Sequence, residues 1–202
     1  MYTVSVENTV NAFAFAELLF GAGKNFDNLF LVKWGSGVGI FIVINVTVYD
    51  GRHYKAAEFG HYIVKKDGKE CYCRRKGCLE TEVSYNTLSR YVDFTMNNFG
   101  QVYTELKRKE REEYKVFGTA IDIFARCIVN SITILAPDRI VLCGEMLKDK
   151  QVRSDLKNSF FSYNPMLEQK LFIFLDLSDR EDYIGPVAFF LWKNYFTASK
   201  VD

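Results

Sequence analysis

One histidine and three cysteines crowd into eighteen residues of this chain: His61, then Cys71-Tyr72-Cys73, then Cys78. That spacing constrains the fold more than any other feature, because four such side chains can wrap a short loop around one metal ion. Four-coordinate zinc takes Cys thiolate and His nitrogen, commonly as three cysteines and one histidine in structural sites. Asp67-Gly68 supplies a turn between His61 and Cys71. The competing reading is a set of ordinary free cysteines beside an unrelated histidine. Three of the five cysteines fall within eight residues, which favours the metal. A disulfide framework fits less well: no signal peptide is expected, and Cys127 and Cys143 sit in apolar runs, as suits a reducing, cytoplasmic compartment. Four protein ligands leave no open position for a metal-bound water, so the expected zinc is structural rather than hydrolytic. It would clamp the backbone that carries two flanking carboxylates, Glu58 and Glu80. His61 has two ring nitrogens, one for the metal and one free to donate a hydrogen bond. Carboxylates and an imidazole N–H suit the hydroxyls of a sugar.

With 202 residues, the chain is long enough for one domain with a real core. Hydrophobic residues make up 49% and the net charge is +1, a balance that does not point to a polyanion-binding surface. No run of eighteen apolar residues stands out, so no membrane span is expected. Three prolines and no low-complexity tract argue against a disordered linker.

The pattern along the chain alternates between strand and helix. Residues 2–7 read as a short strand, and Asn8 can cap a helix over 9–20 that ends near Gly21 and Gly23. Runs 29–33 and 40–48 are rich in β-branched residues and read as strands around a Gly35-Ser36-Gly37-Val38-Gly39 turn. Residues 82–98 and 100–113 look helical, the second with Glu105, Lys109 and Glu113 alternating in sign. Acids interleave the bases there, which favours a solvated face over a nucleic-acid patch. A long apolar helix over 114–135 stops at Pro137-Asp138. A strand over 139–143, a helix over 146–163, a strand over 171–175 and a helix over 183–195 complete the α/β pattern.

Glu58-Phe59-Gly60-His61, nine residues, then Cys71-Tyr72-Cys73-Arg74-Arg75-Lys76-Gly77-Cys78-Leu79-Glu80 resembles the signature of the ROK family of repressors, open reading frames and sugar kinases. The one departure is Arg74, where the family usually has glycine; it bears on the local turn, not on the ligands. The resemblance implies an actin-like, ribonuclease H-like α/β lobe, with a mixed sheet flanked by helices and a zinc-binding loop over 55–80. It implies zinc at His61, Cys71, Cys73 and Cys78, and sugar contact by Asn8, Glu58, His61 and Glu80. Asn8 could equally be a plain helix cap, and the two glutamates plain surface carboxylates. The family's first lobe, with its D-x-G-x-T loop, and the winged helix-turn-helix of its repressors have no counterpart in this chain. Residues 1–202 therefore read as a single domain, the C-terminal lobe of a longer protein, with 1–22 as the end of the first lobe and the linking helix.

Gly35, Ser36, Gly37 and Gly39 could cradle a phosphate or simply make a hairpin. The resemblance raises the first reading, since the family's kinases carry a phosphate loop here, and it likens Gly144 to their adenosine side. Thr9, however, stands where the kinases have an aspartate general base. A threonine hydroxyl cannot accept the substrate proton at neutral pH, and Glu7, two positions away, is not assured of the right geometry. The expectation is a sugar-sensing domain of a regulator of the xylose- and N-acetylglucosamine-repressor type, without kinase activity and without ATP as cofactor. Its effector would be a small sugar or sugar phosphate, and its DNA contact would run through a separate N-terminal domain. No membrane partner is expected, and the family usually forms homo-oligomers. The alternatives are the C-terminal part of an ATP-dependent hexose or N-acylhexosamine kinase, and a remnant with no ligand.

Overall fold

The computed structural model describes residues 9–49, 51–52, 56–176 and 181–196. The strand expected over 2–7, together with Glu7 and Asn8, lies outside them. Helix α1, Thr9–Phe20, is followed by strands β1, Leu29–Trp34, β2, Val38–Ile44, and β3, Thr47–Val48. The zinc-type loop leads to two short helices, α2, Leu79–Val83, and α3, Tyr85–Leu88. Helices α4, Phe99–Arg108, and α5, Tyr114–Leu135, precede β4, Arg139–Cys143. Helix α6, Lys150–Tyr163, β5, Phe172–Phe174, and α7, Glu181–Leu191, complete the order.

The strands form one mixed sheet in the order β3-β2-β1-β4-β5. β1 runs antiparallel to β2 and parallel to β4, and β4 runs parallel to β5. Strand geometry sends alternate side chains to opposite faces, and the sequence obeys it. Phe30, Val32 and Trp34 with Ile140 and Leu142 join the core beneath α5 and α6, whereas Leu29 and Leu31 with Val141 and Cys143 join the core beneath α1 and α7. Helices thus cover both faces, as parallel strands buried on both sides require. Each fully buried Phe or Leu contributes roughly 1.5–3 kcal/mol.

Helix α5 is long and apolar enough to cross a membrane by length and composition. Here it lines the larger core: Phe117, Ile121, Phe124 and Ile128 are buried there. Trp34, at the end of β1, stacks on Phe124 with ring centroids 4.4 Å apart. Its indole Nε1 donates to the carbonyl of Val83 at 2.7 Å, tying α2 to the sheet.

Several boundaries differ from the sequence pattern. The strand expected over 40–48 is interrupted at Asn45 and Val46, both left-handed at φ 50 and 59, which makes the turn between β2 and β3. Gly39 lies in β2 opposite Lys33 rather than in the loop. The helix expected over 82–98 is only α2 and α3, because Ser84 is extended at φ −68, ψ 155. The helix expected over 100–113 stops at Arg108, where Glu110 turns left-handed at φ 51. Glu105 pairs with Lys109 as the alternation implies, and Glu112 pairs with Lys115. The helix expected over 146–163 starts at Lys150, because the Asp149 carboxylate accepts from the amides of Gln151 and Val152 at 2.7 and 3.2 Å. Met146 and Leu147 belong to a single preceding turn, Glu145–Leu147. The last helix begins at Glu181 and passes at Trp192 into a wider turn, Trp192–Phe196.

Candidate functional site

The chain leaves β3 and returns to the sheet through a single 3₁₀ turn, Phe59–His61, that presents His61. Two strand-like legs then form a knuckle. Val64 N donates to Gly77 O at 2.8 Å, and Leu79 N to Tyr62 O at 2.7 Å. Gly77 N donates to Lys69 O at 2.9 Å, and Cys71 N to Arg75 O at 2.8 Å. Asp67, left-handed at φ 56, makes the turn at the far end, as the Asp-Gly pair implied. Gly77 has φ 68, and a side chain there would overlap the carbonyl of Lys65, so only glycine fits. Arg74 also has φ 68, the conformation glycine adopts most cheaply.

This knuckle brings His61, Cys71, Cys73 and Cys78 together with all four ligand atoms within 4.8 Å of one another. Cys71 Sγ lies 3.5 Å from His61 Nδ1, and Cys73 Sγ lies 3.6 Å from Cys78 Sγ. Zn–S bonds of about 2.3 Å and Zn–N bonds of about 2.0 Å put tetrahedral ligands at separations of this order. The donor set and its spacing fit a metal ion, and three of the four residues are buried. Burial pushes the Cys78 thiol up to about 12, helped by the hydrogen bond to Cys73. At Cys73 burial also acts upward, but hydrogen bonds from the Arg75 side chain and backbone outweigh it and leave the thiol at about 6. Arg75 Nε donates to Cys73 Sγ at 3.4 Å. The cluster therefore already holds its first thiolate beside a guanidinium.

His61 uses its two nitrogens in opposite directions. Nδ1 faces the cysteines, and Nε2 faces Glu58 Oε2 at 3.6 Å. Glu58, His61 and Glu80 line one wall of an open cleft of about 1490 Å³, together with Tyr72, whose ring meets the imidazole edge-on at 4.9 Å. Glu80, in the first turn of α2, lies so close to the β1–β2 hairpin that a Cβ on Gly37 would sit 3.2 Å from its Oε2. Asn11 of α1 and Trp192 and Lys193 beyond α7 line the same cleft. Sequence reasoning named neither these three nor Tyr72; only Tyr72, inside the cysteine pair, sat where a pattern could have flagged it. Gly35, Ser36 and Gly37 form the three-residue hairpin outside the cleft lining, while Gly39 lies on that lining. Gly144 has φ 111 and packs against the carbonyl of Trp34, which no other residue would allow.

The chain matches the ROK family over residues 1–191. It is similar to a glucokinase of Thermotoga maritima, 28% identical over 158 residues that cover 70% of this chain and 50% of that protein. It is also similar to a xylose repressor of Bacillus subtilis, 39% identical over 85 residues that cover 42% of this chain and 22% of that protein. In fold it resembles the ROK hexokinase of Thermus thermophilus, with a TM-score of 0.76 at 20% identity over 89% of this chain and 62% of that one. The chain thus spans about half the length of the glucokinase and less of the repressor. Kinases and repressors match the same chain, the match runs through nearly all of it, and the chain belongs to the ROK family.

Proposed function

We propose that this chain is the sugar-sensing, C-terminal lobe of a ROK-type transcriptional regulator and does not transfer phosphate. The observation that carries the reading is the cleft wall: Glu58, His61 and Glu80 converge on it, on a knuckle held by a Cys/His cluster. Zinc at His61, Cys71, Cys73 and Cys78 would be structural, since four protein ligands fill a tetrahedron. It would fix the His61 ring so that Nε2 and the two carboxylates meet the hydroxyls of a small sugar. Asn8 would add an amide that both donates and accepts. Thr9, at the start of α1, supports the absence of phosphoryl transfer. A general base must be ionised yet basic near neutral pH, and losing one costs about 10²–10⁴-fold in rate. DNA contact would come from another domain of the protein, in a homo-oligomer. The sugar would act by binding one lobe arrangement better than the other.

The test is thermal melting of the zinc-loaded protein with xylose, glucose, N-acetylglucosamine and their phosphates. A ligand that binds only the native state raises its stability by mass action. One sugar is expected to raise the melting temperature, and Glu80→Gln or Glu58→Gln to abolish the rise while zinc content stays unchanged. No shift with any of them would sink the sensor reading and favour a remnant without ligand.

A kinase part is the second reading, and the glycine hairpin between β1 and β2 favours it. It would gain support if Thr9→Asp, in a protein with its first lobe, phosphorylated a hexose.

A further inference from the structure

Parallel strands bind ligands in the crevice beyond their carboxyl ends, at the point where successive connections leave in opposite directions. In this sheet that point falls between β1 and β4. β1 turns back into β2 on one side, and β4 leads through α6 to β5 on the other. The two strand ends are in contact, since Gly144 at φ 111 packs on the Trp34 carbonyl. The glycine hairpin Gly35-Ser36-Gly37 borders the crevice, and such bare backbone is what brings N–H groups close to an anion. Two carboxylates stand against this hairpin, and the nearer belongs to the residue that follows Gly144.

That residue is Glu145. Its carboxylate folds over the hairpin, and a side chain on Gly35 would overlap Oε2. Gly35 has none, and the space beside its Cα is filled by that carboxylate. On the same hairpin, Glu80 approaches Gly37. Among the described residues no lysine, arginine or histidine forms an ion pair with Glu145. A half-buried carboxylate without a countercharge repels an incoming anion far more than one in bulk water.

We propose that Glu145 closes the β1–β4 crevice to polyphosphate, so that this chain takes no nucleotide beside the cleft. This deepens the reading of a sugar-binding lobe without phosphoryl transfer and rests on that reading only for the identity of the excluded ligand. It does not involve Thr9, and Glu145 is not among the residues lining the cleft.

The experiment is calorimetric titration of the zinc-loaded protein with MgATP and with inorganic tripolyphosphate at low ionic strength. Wild type, Glu145→Gln and Glu145→Ala are compared. Glutamine keeps the shape without the charge, which guards against an alanine variant that fails to fold. The glutamine variant is expected to bind tripolyphosphate at least about tenfold more tightly than wild type, with the gain shrinking as salt is added. Equal behaviour of wild type and Glu145→Gln, whether both bind or neither does, would overturn the proposal. The sugar melting series is read separately in the same variants. A sugar response that fails while the polyphosphate gain appears counts against the sensor reading alone.

Discussion

Arg74 is the residue at which this chain departs from its family's signature, and its backbone carries the cost. Its φ of 68 is left-handed, a conformation worth roughly 1–2 kcal/mol of strain in a residue with a Cβ. Arg74→Gly should therefore raise stability by about 1 kcal/mol in urea unfolding of the zinc-loaded protein, and a loss would show that the arginine makes a contact of value. The neighbouring thiols give a pH dependence. Zinc needs thiolates, and binding displaces their protons. Cys78, pushed up to about 12, stays protonated at neutral pH until the metal displaces its proton, whereas Cys73, at about 6, is already ionised. Zinc affinity should thus rise with pH across the neutral range and fall more steeply below about pH 6, where Cys73 also takes up a proton. Competition with a chromophoric chelator at several pH values measures it. The four metal-type residues were legible in the sequence because ligand spacing is local. Asn11, Trp192 and Lys193 were not, since their place on the cleft depends on contacts between distant segments.

Helices and strands differ in how far local pattern decides them. Tyr114–Leu135 was readable to the residue, because a long apolar periodicity ends at Ala136-Pro137, and Ala136 is left-handed at φ 41. The split between α2 and α3 was not, because a tertiary contact sets it. Trp34 reaches across from β1 to the carbonyl of Val83, the last residue of α2, and the next residue, Ser84, is extended. That contact also places Glu80, three residues earlier on the same helix. Trp34→Phe keeps the stack on Phe124 but leaves a buried carbonyl without its donor, which costs about 1–3 kcal/mol. Equilibrium unfolding should show that loss, and the sugar-induced melting shift should shrink with it. An unchanged shift would mean that α2 holds Glu80 without the indole.

At the scale of the whole molecule, the sheet and its two helical layers carry the stability, and the knuckle over 59–80 would carry the proposed recognition. The two are joined through α2, and Phe59 and Leu79 of the knuckle pack in the larger core, whereas the four metal-type residues belong to neither core cluster. Chelation should therefore loosen the knuckle and abolish the sugar response while far-UV circular dichroism keeps most of its amplitude; global unfolding on chelation would show that the metal holds the core as well. The order of strands and helices was readable from the alternating pattern, whereas the mixed direction of the sheet was legible only through the family resemblance, because the hairpin after β1 and the crossover after β4 are decided by packing. The central claim is recognition of a sugar without phosphoryl transfer. The direct measurement incubates the zinc-loaded protein, in its full chain, with MgATP and whichever sugar raises its melting temperature, and assays sugar phosphate by mass spectrometry. The account predicts a melting shift and no sugar phosphate above the enzyme-free control. Sugar phosphate that accumulates in proportion to protein, and that disappears in Glu80→Gln, would contradict it.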